Sequence, residues 1–182
     1  MDYLQAIADL EGADALHEAR LLLLVRAFDD GEESHGIGGL TKLAKLDFLL
    51  RYPVMLEDAM RAKNKSVRSV KLQDHESSSV ESKMVRYRFG PWDHRYRRLL
   101  NLLMAKGLVA FDANARPVRI SLTTKGRDVA ERLASDREFE LTVERTNVLR
   151  KHFDMLGTNL MKFIYNTFPD ILSLRANRNI DI

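Results

Sequence analysis

The side chains best suited to chemistry crowd into one stretch: Arg86, Tyr87, Arg88, Phe89, Trp92, His94, Arg95, Arg97 and Arg98. Guanidinium groups neutralise phosphates and displace counterions, so such a run binds polyanions in a salt-dependent way. Arg and Asn also match the hydrogen-bonding edges of guanine and adenine. On a helix starting at Asp93, His94, Arg98 and Asn101 fall opposite the apolar stripe Tyr96, Leu99, Leu100 and Leu103 and form a candidate reading face. The same residues suit protein docking. They also suit a plain surface, with Phe89 and Trp92 plugging a core. Asp93 at the helix start disfavours a phosphate there. A second basic run, Lys63, Lys65, Arg68 and Lys71, is a candidate phosphate-binding arm. No aromatic residue interleaves it to stack on bases, which favours a solvated loop.

Enzyme chemistry has no comparable constellation. His17, His35, His75, His94 and His152 do not pair with one another or with carboxylates at metal-ligand spacing. Asp93 and His94 are neighbours, so on a helix they splay by about 100°. Glu138, Glu140 and Glu144 share one charged helix and read as solvent groups. Ser77-Ser78-Ser79 lacks a nucleophile elbow, and Gly36-Ile37-Gly38-Gly39 is not followed by the Lys-Ser/Thr pair of a phosphate loop. The chain has no Cys, which removes disulfides, thiolate metal sites and a cysteine nucleophile. The expectation is a protein without catalytic residues, metal or cofactor.

The elements that must position the basic cluster follow from periodicity. The segment from Phe89 to Trp92 is a breaker cluster, with Pro91 restricting Gly90. Asp93 suits the N-cap of the next helix, and Gly107 its C-terminal end. Leu108 to Phe111 and Val118 to Leu122 flank a turn-rich loop and read as a hairpin. Thr123 or Thr124 caps a helix over Lys125 to Leu133 with Val129 and Leu133 inward. Upstream, Ala13 to Phe28 reads as a helix whose stripe is Leu16, Ala19 and Leu23. Its block from Leu21 to Val25 makes it a central element. Ile37 is a short first strand. Thr41 to Arg51 is a helix with Leu43, Leu46 and Leu50 inward and Lys42 and Lys45 outward. Tyr52-Pro53 breaks it and starts the next, since Pro suits the first helical turn. Downstream, a charged helix runs from Asp136 to Leu156 with Val148, Leu149, His152, Phe153 and Leu156 as its stripe. Gly157 ends it, Thr158 caps the last helix, and Pro169 stops that one.

The fold class expected is mainly α with a small β-hairpin wing: a winged helix-turn-helix plus C-terminal helices. The winged-helix domain covers residues 1–135, with a polar, basic, mobile insertion near 63–83 and a strand at Val67 to Leu72. A helical appendage covers 136–172 and a tail 173–182. The appendage is not needed to complete a winged helix. Its apolar residues Phe153, Leu160, Ile164, Tyr165 and Phe168 are therefore candidates for docking a partner.

Composition agrees with a globular protein: 182 residues, 45% hydrophobic and 30% charged. The N-terminus lacks the basic start of a signal peptide, and the longest apolar run falls far short of the ~20 residues that span a bilayer. A cytoplasmic, non-membrane protein is expected. The formal net charge is +3 and the pI about 9.2. Basic residues concentrate between Arg61 and Arg98, opposed only by Asp74, Glu76, Glu81 and Asp93. Such asymmetry attracts polyanions or an acidic protein surface.

Four phrases carry a resemblance that spans most of the chain. They are Leu43-Ala44-Lys45-Leu46-Asp47-Phe48-Leu49-Leu50-Arg51-Tyr52-Pro53, Tyr87-Arg88-Phe89-Gly90-Pro91-Trp92, Leu122-Thr123-Thr124-Lys125-Gly126 and Ile164-Tyr165-Asn166-Thr167-Phe168-Pro169. With them the chain resembles a middle component of the bacterial ABC-three-component systems, the type of subunit carried by Lamassu-type anti-phage complexes. The resemblance implies a winged-helix adaptor between an SMC- or Rad50-like ATPase that senses DNA and an effector such as a nuclease. It implies no catalytic residue. The basic run from Lys63 to Lys71 matches no pattern of that family. The competing expectation is a winged-helix transcription regulator that dimerises through the helices from Asp136 to Phe168.

Overall fold

A computed structural model describes residues 3–29, 36–77, 85–87, 90–92 and 95–169, with side chains at 14–29, 36–76 and 95–169. The described residues form seven α-helices and five short strands. The helices are α1 (Tyr3–Phe28), α2 (Leu40–Arg51), α3 (Pro53–Ala62), α4 (Tyr96–Ala105), α5 (Thr124–Ala134), α6 (Glu140–Phe153) and α7 (Gly157–Thr167). The strands are β1 (Ile37–Gly38), β2 (Val85–Tyr87), β3 (Gly90–Trp92), β4 (Val109–Asp112) and β5 (Arg119–Leu122). The fold is mainly helical, with one three-stranded antiparallel sheet ordered β1-β5-β4 and a separate β2-β3 hairpin. No helix among the described residues is long and apolar enough to cross a membrane.

Two helices form the spine. Leu21, Leu22, Leu23, Leu24 and Val25 of α1 are all buried, because α4, α5, α6 and β5 pack around that half of the helix. Leu16, expected in the stripe, is exposed and lies before this sleeve begins. All ten residues of α2 from Lys42 to Arg51 are buried, under α3, α6, α7 and β3. Lys42 and Lys45 therefore do not face solvent, as their periodicity suggested. A helix covered on both sides has no solvent face to offer them. Lys42 Nζ donates to Asp154 Oδ1 at 2.6 Å and lies over the Phe28 ring. Lys45 Nζ donates to the Thr41 carbonyl at 3.3 Å, and desolvation lowers its pKa to about 8.

Local rules explain the junctions. Pro53 opens α3 after Tyr52. Gly107, with φ of 69°, turns α4 into β4. Thr123 Oγ1 accepts from Gly126 N at 2.9 Å, capping α5, and its hydroxyl donates to the Gly107 carbonyl at 2.6 Å. A Cβ on Gly126 would lie 1.9 Å from the Leu108 carbonyl oxygen, so only glycine lets α5 approach the strand entry. β4 and β5 pair with Val109 opposite Leu122 and Phe111 opposite Ile120, and β1 adds on β5 with Ile37 opposite Ile120.

Several expectations change. The segment expected to be a breaker turn is a hairpin in which Arg86 faces Pro91 and Val85 faces Trp92. A two-stranded pair consists of edges only, where a proline lacking its N–H is tolerated. α4 begins at Tyr96 with Arg95 at its N-cap position, and Asp93, the expected cap, lies outside the described residues. The expected strand at Val67 to Leu72 is a series of turns, and the segment is docked rather than loose. Val70 is buried beneath it, and Arg145 donates to the Val70 and Lys71 carbonyls. The long helix expected from Asp136 breaks into a 3-10 turn (Arg137–Phe139), capped by Asp136, followed by α6. Gly157 starts α7 rather than ending α6, and Leu156 is exposed in the link between them.

The expected appendage is part of the one core. Val148, Leu149, Phe153, Leu160 and Ile164 belong to the same buried cluster as Leu24, Leu46 and Leu103. Phe153, Leu160 and Ile164 are fully buried and Phe168 is 9% exposed. They are therefore not a surface waiting for a partner. Their apolar faces are satisfied by α1, α2 and α3. It follows that Leu160→Ala should cost about 2–5 kcal/mol, the usual range for a large-to-small core change. Chemical denaturation should remain a single transition that shifts as a whole. Two separate transitions, or no loss, would show that α6 and α7 are an independent unit.

Candidate partner and nucleic-acid interface

The exposed face of α4 is set by a buried polar cluster beneath it. Asp47 of α2 is fully buried. Its carboxylate accepts from Arg20 Nε at 2.6 Å and Nη2 at 3.2 Å, and from the Tyr96 hydroxyl at 2.7 Å. Three helices thus meet at one carboxylate: α1 through Arg20, α2 through Asp47 and α4 through Tyr96. Burial, followed by the charge of Asp47, pushes the Tyr96 hydroxyl well above its ordinary pKa, so it stays a donor. Arg20 Nη1 also bonds His17 Nδ1 at 2.7 Å. A guanidinium has only donors, so Nδ1 must be the acceptor and the ring neutral. Burial, then the neighbouring Arg20, lowers the His17 pKa to about 4.

With Tyr96, Leu99, Leu100 and Leu103 held inward, α4 shows Arg97, Arg98, Asn101 and Met104 to solvent. A cleft of about 210 Å³ separates this face from the β4-β5 hairpin. Its walls are Leu40, Leu100, Phe111, Val118 and Ile120, with Arg97 and Asn101 at the polar side. Met104 and Val118 are 49% and 44% exposed, unusual for such residues. Two other cations of α4 and its end are held by α1, Arg98 by Asp14 and Lys106 by Glu18, while Arg97, which lines the cleft, has no ion pair among the described residues.

This chain matches no family model, no curated protein and no solved structure.

Of the residues singled out in the sequence, Arg97 and Arg98 share the exposed face of α4, and Arg95 is half-buried at its start beside His17. Arg86 and Trp92 fall in β2 and β3, and nothing more is described of their side chains. Arg88 and His94 lie outside the described residues. Lys63, Lys65 and Arg68 are far along the chain from that face and follow α3. Lys63 Nζ stands 5.2 Å and 5.4 Å over the Phe153 and Phe163 rings, while Lys65 and Arg68 are exposed. Tyr165 is half-buried with the core, beside the buried Phe168.

Sequence reasoning missed the anchors: Asp47, Arg20 and Arg145. A signal for Asp47 was present. An acid amid Leu46, Phe48, Leu49 and Leu50 in a helix whose lysines also turn inward needs a buried partner. Arg145 carried no such signal, because the carbonyls it binds belong to an irregular segment.

His17 gives a pH test. Its folded pKa lies below the unfolded value near 6.5, so the unfolded chain binds more protons between those limits. The contribution is fully present above pH 6.5 and is lost as pH falls towards 4. Denaturation midpoints measured across that window should fall with acidification, and His17→Asn should flatten the slope. An unchanged slope in the variant would remove His17 from the account.

Proposed function

We propose that this chain is a non-catalytic winged-helix adaptor that docks through the α4 face and the β4-β5 hairpin. The order helix, strand, helix, helix, hairpin, with the first strand added to the second arm of the hairpin, is the order of winged-helix domains. In that reading α4 is the recognition-type helix and β4-β5 the wing. α3, the segment after it and the β2-β3 hairpin are an insertion between the second and third helices.

The observation that favours protein docking is the chemistry of the cleft. Exposed Val118 lines an apolar groove, exposed Met104 lies one turn beyond Asn101 on α4, and α1 supplies Asp14 and Glu18 against Arg98 and Lys106, so Arg97 is the cation left at the groove. A surface built for phosphates keeps its cations free. Protein interfaces centre on apolar, Met-containing patches with a polar rim. The resemblance to middle components of ABC-three-component systems supplies the partners: an SMC- or Rad50-like ATPase and a nuclease-type effector of an anti-phage complex. Three of its four phrases have a structural reading. Leu43 to Arg51 lies in the buried α2 and Pro53 opens α3, the phrase at Gly126 caps α5, and the phrase at Ile164 ends α7. They argue for a shared fold, and the cleft argues for the job. Docking through the apolar faces of α6 and α7 is withdrawn, because those faces are covered within the chain.

A second reading, a winged-helix DNA-binding regulator, is favoured by Arg97 and Asn101, which stand exposed side by side on α4. Its dimer interface would have to lie elsewhere than the buried stripes of α6 and α7.

Co-expression with the products of the neighbouring genes tests the adaptor, which requires an SMC- or Rad50-like ATPase and an effector among them. One complex should elute together on size exclusion. Met104→Asp with Val118→Asp, both at exposed positions, should weaken assembly at least ~10-fold, on the order of a lost interface hot spot. A chain that stays monomeric beside those partners would overturn the reading. A preference of about a thousandfold or more for one duplex sequence would select the regulator.

A further inference from the structure

The basic run after α3 is not a free arm. Arg145 of α6 donates Nε to the Val70 carbonyl at 2.9 Å and Nη2 to the Lys71 carbonyl at 3.1 Å. The same guanidinium meets the Glu76 carboxylate at 2.6 Å and 2.7 Å. This clamp lays the segment along α6 and leaves a cleft of about 330 Å³ between them. Ser69 and Lys71 form one side, and Glu144, Asn147, Lys151 and His152 the other.

The cleft carries an excess of positive charge over one carboxylate, whose second oxygen is buried without a hydrogen-bond partner. Its carboxylate, Glu144, is held by Lys71 Nζ at 2.6 Å. Lys65 and Lys151 are exposed and have no ion pair among the described residues. Lys63 places its ammonium over the Phe153 and Phe163 rings at the foot of the same region. Burial, then Lys151, Lys65 and Lys63, hold His152 below its ordinary pKa, so all three lysines converge on one imidazole. Residues distant in sequence, after α3 and at the end of α6, thus build one positive surface.

We propose that this surface binds the phosphate backbone of duplex DNA without reading its sequence. The cations around His152 are lysines, which act as point charges and lack the planar fork that pairs with a base edge, and Arg68 of the same segment is exposed as one further charge. The aromatic rings nearby are occupied: Phe153 is buried and Phe163 half-buried, both beneath Lys63. Single strands bind by stacking on free rings, so they gain little here. The site is independent of the α4 cleft. A protein that docks through that cleft could hold DNA on this face at the same time.

Fluorescence anisotropy of the full chain with a short random-sequence duplex, titrated against salt, tests the proposal. Lys65→Gln with Lys151→Gln should weaken binding at low salt about tenfold or more. It should also reduce the slope of log K against log salt by about 1.8, the value for two lost phosphate contacts. Lys125→Gln with Arg132→Gln, two exposed cations of α5 that line neither cleft, removes the same charge and should leave the slope unchanged, and both variants should melt like the parent. Equal affinity and slope in the lysine variant would overturn the proposal. So would binding to single strands as tight as to duplex. So would a site that prefers an acidic polypeptide such as polyglutamate over DNA.

Discussion

A fully buried carboxylate organises this molecule. Asp47 sits in the middle of α2, where leucines and a phenylalanine surround it, and it is stable there only because Arg20 and Tyr96 reach it from two other helices. An ionised carboxylate without such partners would be several kcal/mol unfavourable in that setting. The requirement works in both directions. Asp47 needs those donors, and the donors fix α1 and α4 against α2. The rotation of α4 about its own axis, and hence which of its residues meet solvent, follows from the Tyr96 contact together with its Leu stripe.

The same logic recurs at the periphery. Arg145 is buried, and it is satisfied by two carbonyls and Glu76, so an irregular segment is drawn onto α6. Asp29, at the end of α1, accepts from Leu122 N at 2.6 Å and pairs with Arg127, tying the sheet and α5 to the spine. Charged residues inside this core therefore act as positioning devices between elements. Outside the core, Arg98 and Lys106 are paired with acids of α1, whereas Lys65 and Lys151 have no ion pair among the described residues.

Much of the fold was legible in the sequence. The Leu21 to Val25 block foretold a central helix, Ile37 a first strand, Gly107 and Thr123 the junctions around the hairpin. These are local signals, set by propensity, capping and positive φ. What was not legible depends on what packs against what. Lys42 and Lys45 follow the outward positions of an amphipathic helix, yet α2 is covered on both sides. The apolar stripes of α6 and α7 predicted burial correctly, but periodicity does not say whether the cover is the same chain or another one. The two basic runs of the sequence lie on different elements, and the second gains neighbours from α6. Arg97 and Arg98 stay on α4, while Lys63 and Lys65 join Lys151 and His152, a grouping that no linear spacing reveals.

The central claim is that the three helices meeting at Asp47 form one rigid unit that presents the α4 face ready-made. Native-state hydrogen exchange of the α4 amides measures this directly. The account predicts that Leu99, Leu100 and Leu103 exchange only through global unfolding, with the same opening free energy as Leu46 in α2 and Leu149 in α6. A separate opening of α4 at markedly lower free energy, with α2 and α6 still protected, would contradict it.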